Sequence, residues 1–162
     1  MAVTPLASFP VAILMERKVI HRGGWSLPNW DAIGVVAGEQ FADERRSRTL
    51  VHEAEDAQRF MYRGFQLQLF RDAVETYWFN LTGERPSLFV LCNKEAGEEL
   101  VPVSVTADHE VAQATVENNG AAFAVAIPPA IHAELERVVL EHYRPESPRK
   151  RKQHKWAGEL DQ

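Results

Sequence analysis

A chain of 162 residues, 45% hydrophobic and 25% charged, is long enough for one domain with its own core and too short for two. Its single cysteine, Cys92, excludes an internal disulfide and any multi-cysteine zinc or iron–sulfur site built from this chain alone. The net charge of −5 is uneven: from Arg144 onward there are six basic and three acidic residues, which leaves 12 basic against 20 acidic before it, so a body of net charge −8 would repel a nucleic-acid backbone and a broad DNA groove is not expected.

The start, MAVTPLASFPVAILMERK, has no basic residues ahead of a short apolar run that meets charge after Met15. It reads as neither a secretory signal nor a membrane span, and a cytoplasmic location is expected. Val11 to Ile20 alternates as a first strand, with Val11, Ile13, Met15 and Val19 inward and Glu16 and Lys18 outward. His21-Arg22-Gly23-Gly24 is a turn. Trp25 and Trp30 bracket Ser26-Leu27-Pro28-Asn29, a loop stiffened by its proline, and Trp30 to Ala37 forms a second strand that Gly38 ends. Both tryptophans read as core or core-rim side chains. Glu39 to Gln58 mixes both charge signs with little apolar periodicity, as a long charged loop or a loosely packed short strand would. His52 beside Glu53, Glu55 and Asp56 reads as a solvated acidic run, since nothing fixes a ligand spacing.

Phe60 to Thr106 carries most of the large apolar side chains and predicts four consecutive antiparallel strands. A bulge at Gly64 would bring Phe60, Tyr62, Phe65, Leu67 and Leu69 to one side. Asp72-Ala73 makes a turn into a strand over Val74 to Leu81, and the Gly83 to Pro86 turn leads into a nearly all-apolar central strand, Ser87 to Asn93. Ala96-Gly97 closes the next hairpin. Val101, Val103 and Val105 alternate in a strand that Pro102 confines to an edge or a bulge. Thr106 then caps a helix with Val111, Ala112, Thr115 and Val116 as its buried stripe, ended by Asn118-Asn119-Gly120. Phe123, Val125 and Ile127 mark another short strand. Pro128-Pro129 starts a last helix with Ile131, Leu135, Val138, Val139 and His142 on its inner face.

The fold class is therefore α+β: an antiparallel meander sheet or partly open barrel of six to seven strands, with two C-terminal helices packed on it. Residues 1–145 form a single domain and 146–162 a flexible basic tail. The tail reads either as a solubilising extension or as an arm that docks on an acidic protein, RNA or anionic lipid through Arg149, Lys150, Arg151, Lys152 and Lys155, with Trp156 as an anchor. Trp25, Trp30, Tyr77 and Trp78 are candidates to surround a small ligand at a barrel mouth.

Catalytic signatures are missing. There is no phosphate-binding glycine loop, nucleophile elbow, His-Glu-x-x-His or dinucleotide fingerprint, and the six histidines include no metal-ligand pair at i and i+4. No catalytic residue, cofactor or metal is expected. The segments FPVAILMERK, Trp30 to Gly38, ETYWFNLTGERPSLFVL and PPAIHAELERVVLEHYRPE resemble an uncharacterised proteobacterial family found with formate dehydrogenase and other molybdenum-enzyme genes, some members being labelled as related to molybdopterin guanine dinucleotide biosynthesis. Tyr-x-x-Asn-Leu-Thr at Tyr77 to Thr82 and the Glu141-His142-Tyr143-Arg144-Pro145 exit are its most distinctive parts. The resemblance implies a non-catalytic accessory protein, an assembly factor or small auxiliary subunit of a cytoplasmic formate dehydrogenase-like molybdenum enzyme. A pterin-nucleotide binding module and an RNA-binding tail are the alternatives.

Overall fold

The computed structural model describes residues 3–42, 45–95 and 99–145. Strands β1 (Ala7–Arg22) and β2 (Trp25–Ala37) form a long hairpin closed by Gly23-Gly24, whose φ values of 52° and 85° lie in the left-handed region that glycine occupies without a Cβ penalty. The segment Ser26 to Asn29, expected as a loop, is strand. Pro28 is tolerated there because β2 is an outer strand, where a missing N–H leaves no ladder bond unmade. Strands β3 (Ser47–Ala54) and β4 (Ala57–Leu69) form a second hairpin, and β4 returns along β1, giving the order β2-β1-β4-β3. Of the two readings of the charged stretch after Gly38, the exposed short strand is the one observed; a single 3-10 turn, Glu39–Phe41, precedes it.

The glycine bulge in β4 is present. Between Phe65, opposite Val11, and Tyr62, opposite Ile13, β4 has one residue more than β1. Gly64 has φ 91°, and a Cβ on it would lie 2.6 Å from the Arg45 carbonyl oxygen, so the passing chain requires glycine. The extra residue puts Tyr62, Phe65, Leu67 and Leu69 on one buried face.

Val74 to Leu81 is not a strand. A 3-10 turn, Arg71–Ala73, leads into helix α1 (Val74–Thr82). Its aromatic and β-branched residues suit a strand, yet Val74, Tyr77, Trp78 and Leu81 also fall at i, i+3, i+4 and i+7, and all four reach the core or its rim. The distinctive Tyr-x-x-Asn pattern has a structural role one helical turn apart. The buried Tyr77 hydroxyl accepts from the Phe70 N–H at 2.9 Å. The Asn80 amide donates to the carbonyls of Ser87 and Ala107, at 2.7 and 2.9 Å, and accepts from the Ser87 N–H. Two side chains thus tie α1 to the chain on both sides of the second sheet.

That sheet contains β5 (Ser87–Lys94), β6 (Leu100–Thr106) and β7 (Ala121–Ala126) in the order β6-β5-β7, with β5 central as expected. The Ala96-Gly97 turn lies outside the described residues. Pro102 sits on an edge strand and beside a register slip, opposite Leu91 and Cys92. The slip buries Pro102 and Val105 and turns Val103 outward, so the three valines do not share a face.

Helix α2 (His109–Glu117) is capped by Asp108, not Thr106: the Asp108 carboxylate accepts from the Glu110 N–H, while the Thr106 hydroxyl accepts from the Asp108 N–H. Of its expected stripe only Ala112 is buried; Val111 and Val116 are exposed because α2 lies on the outer side of β5 and β7 instead of between layers. It ends as expected, with Asn119 at φ 72° and the Gly120 N–H bonded to the Thr115 carbonyl. Helix α3 (Pro129–His142) follows Pro128 and buries Ile131, Leu135, Val138 and Val139.

The two sheets pack face to face, with β6 against β4 and β7 against β2. Val11, Ile13 and Met15 of β1 meet Leu88, Val90 and Cys92 of β5 in one cluster, which α1 and α3 complete. The architecture is α+β as expected, but as two open antiparallel sheets rather than one meander or a barrel. Among the described residues there are seven strands and three α-helices, two of them late in the chain. Cys92 is fully buried, and desolvation pushes its thiol up to about 12.

Candidate functional site

Strand β1 pairs with β4 only as far as Lys18 opposite Ala57, although β1 and β2 continue together to Arg22 and Trp25. The last three residues of β1, Ile20–Arg22, and the first three of β2, Trp25–Leu27, therefore project past the body of the sheet by roughly 10 Å. Trp25 and Leu27 lie two apart on one face of this tip, opposite Arg22 and Ile20 respectively. Trp25 is 71% exposed and Leu27 52%. A core or core-rim place for Trp25 is thus not observed: no layer reaches it. Leu27 was hidden by the expectation of a loop, and the signal that exposes it is the i, i+2 spacing of Trp25 and Leu27 in a strand.

The base of the tip is held firmly. The Val19 N–H bonds the Asp56 carbonyl at 2.9 Å. Glu16, expected to point into solvent, is 8% exposed. Arg59 reaches it across the sheet with Nε 2.9 Å from the carboxylate, Lys18 stands at 3.6 Å, and the hydrogen bond from Arg59 holds its pKa below the usual carboxylate range against the cost of burial.

The other aromatic candidates are engaged elsewhere. Trp30 stacks on Phe60 at 5.8 Å, and Arg48 lies over the other side of that pair, 4.8 Å from the Phe60 ring. Tyr77 is 1% exposed and its hydroxyl is occupied. Trp78 stacks on Tyr143 at 5.1 Å, bringing the chain just after α3 onto α1. Because the sheets are open, there is no barrel mouth for the four to surround. Tyr143 instead lines a cleft of about 240 Å3 between α1 and the end of α3, with Arg71, Asp72, Glu75, His142 and Arg144. The Arg71 guanidinium donates to His142 Nδ1 at 3.1 Å, which leaves the ring proton on Nε2. Sequence named Arg144 only as part of the distinctive exit and did not join it to Arg71, 73 positions away.

Arg149, Lys150, Arg151, Lys152, Lys155 and Trp156 lie outside the described residues. Among the described residues no group of three or more His, Cys, Asp or Glu is placed to hold a metal ion, and no helix is long and apolar enough to cross a membrane.

Residues 10–153 fit the family described as a protein of unknown function, DUF3305. No curated protein and no solved structure matches the chain. The family match covers the projecting hairpin, both sheets, all three helices and the beginning of the basic segment, so the chain belongs to the DUF3305 family.

Proposed function

We propose that this protein is a non-catalytic accessory protein that grips a protein partner with the β1–β2 tip, and that the partner is a subunit of a cytoplasmic formate dehydrogenase-like molybdenum enzyme. The observation that carries the first part is the exposure of Trp25 and Leu27 together on a projecting, tightly based hairpin. An exposed tryptophan is costly in water and is the side chain most enriched among binding hot spots. Two strands hold it without loop-ordering cost on association. Arg22, opposite Trp25, and Lys18, nearer the base, give the tip a cationic rim that suits an acidic surround on the partner. The basic segment from Arg149 to Lys155 adds charge that speeds encounter. The choice of enzyme rests on the sequence resemblance alone.

Affinity purification from cells that also make a formate dehydrogenase tests both parts. A tagged wild-type chain should recover a molybdenum-enzyme subunit, and Trp25→Ser should lower that recovery about 30-fold or more, as expected for loss of a hot spot worth ~2 kcal/mol. Equal recovery by both chains removes the tip from the reading. Recovery of unrelated proteins alone removes the enzyme.

One observation favours a second reading, a small anionic ligand such as a pterin nucleotide. The cleft beside Tyr143 combines a stacked aromatic pair with Arg71 and Arg144. Saturable quenching of tryptophan fluorescence by the nucleotide, lost in Arg71→Ala, supports it; an unchanged spectrum rejects it.

A further inference from the structure

Four strands end the two sheets, and two of them carry a proline that interrupts the edge. Strand β2 carries Pro28 and lies against β7, and β6 carries Pro102 and lies against β4. Strand β3 has no proline, and all eight of its residues are exposed, including Leu50 at 45% and Val51 at 48%. Its outer backbone groups form an open row, a template for one more strand.

The sequence around it specifies which strand. Residues 45–56 read RRSRTLVHEAED, with basic residues before Leu50-Val51 and acidic residues after. About a two-fold axis between Leu50 and Val51, an antiparallel second copy sets Arg48 opposite its Glu53 within the strand and Arg46 opposite its Glu55 just beyond the strand ends. Each pair occurs twice, and every one is of opposite sign. A two-fold axis normal to a sheet keeps each residue on its own face, so opposed residues must share a face. In an unbroken strand Arg48 and Glu53, five apart, would not. Strand β3 is not unbroken. Leu50 pairs with Phe60 and His52 with Arg59, so Val51 is an extra residue. Arg48 opposite Tyr62 and Glu53 opposite Gln58 consequently lie on one face, and Thr49 opposite Met61 and His52 opposite Arg59 on the other.

We infer that β3 is a homodimer edge, pairing antiparallel with β3 of a second copy to make one continuous eight-stranded sheet. The charged groups are accessible for this. Arg48, bonded to Glu99 at 3.0 Å, keeps a side chain 49% exposed, and a guanidinium has five donors to share. Arg46 donates to the Gly64 carbonyl through Nε and covers the Phe65 ring, while Glu53 accepts from Gln58 and Asp56 stands 3.6 Å from His21. One strand pair buries less than a standard interface, so the dimer is weak, with a Kd on the order of tens of micromolar.

Sedimentation equilibrium of the full chain tests this. Wild type should pass from monomer to dimer between about 5 µM and 500 µM. Glu53→Lys/Glu55→Lys should weaken association at least 10-fold, as should Arg46→Glu/Arg48→Glu, and mixing the two should restore a dimer. Should the arginine variant fail to fold, register is read directly: with Cys92 buried, Thr49→Cys and His52→Cys chains oxidised together should cross-link, and each alone much less. A wild-type monomer at 500 µM overturns the inference. So does a dimer indifferent to the lysine substitutions, or capture of only a foreign strand with no self-association.

Discussion

Strand β1 has two ends with the same kind of sequence and different surroundings. Around Val11, Ala12, Ile13 and Met15 it is fully buried, covered by β5 on one face and by the turn at Phe41 on the other. At His21 and Arg22, still paired with β2, it is exposed. The lesson is one of length. A strand of 16 residues spans about 50 Å, and β5, with 8, spans about half of that, so the second sheet and the helices can cover only one end. The covered end supplies stability, and the uncovered end leaves Trp25 and Leu27 exposed.

The sharpest way to break the covered end is alkali. Burial holds Cys92 and Tyr77 both at about 12, above their ordinary values, so the folded chain keeps protons that the unfolded chain releases. That contribution is complete below about pH 8, where the unfolded thiol is still protonated, and is lost as pH rises toward 12, costing on the order of 3 kcal/mol by pH 11. Urea unfolding at pH 8 and pH 11 measures it, and Cys92→Ala should flatten the dependence. Asn80→Ala comes next. Removing the amide leaves the backbone groups of Ser87 and Ala107 without their partner, and about 2–3 kcal/mol should be lost in the same urea experiment at pH 7. Gly64→Ala should cost about 2 kcal/mol, since the new methyl must displace the Arg45 carbonyl at a positive φ. At the uncovered end Trp25→Ser should change stability by no more than ~0.5 kcal/mol, because the side chain is 71% exposed. A larger loss there would mean that the tip belongs to the fold and not to a partner.

Most of the strand positions were legible because alternation and glycine punctuation act locally. The Gly64 bulge followed from two sets of apolar residues out of phase across one glycine, and the Pro128-Pro129 helix start from a fixed φ. Helix α1 was not legible: Val74 to Leu81 satisfies both periods, and its identity was decided by the space between the sheets and α3. The candidate surface was half visible. Trp25 was conspicuous in sequence, but its exposure follows from where β4 stops. The cleft at Arg71 and Arg144 joins residues brought together only by α1 meeting the end of α3.

By itself the sequence determined an α+β chain with antiparallel strands, the glycine turns between them and a final amphipathic helix, because dihedral preference and periodicity are properties of neighbours. Only the tertiary structure decided that the strands divide into two sheets, that Glu16 is buried and Val111 exposed, and that one hairpin outruns its cover. Burial is set by what lies opposite a residue, and what lies opposite comes from another part of the chain.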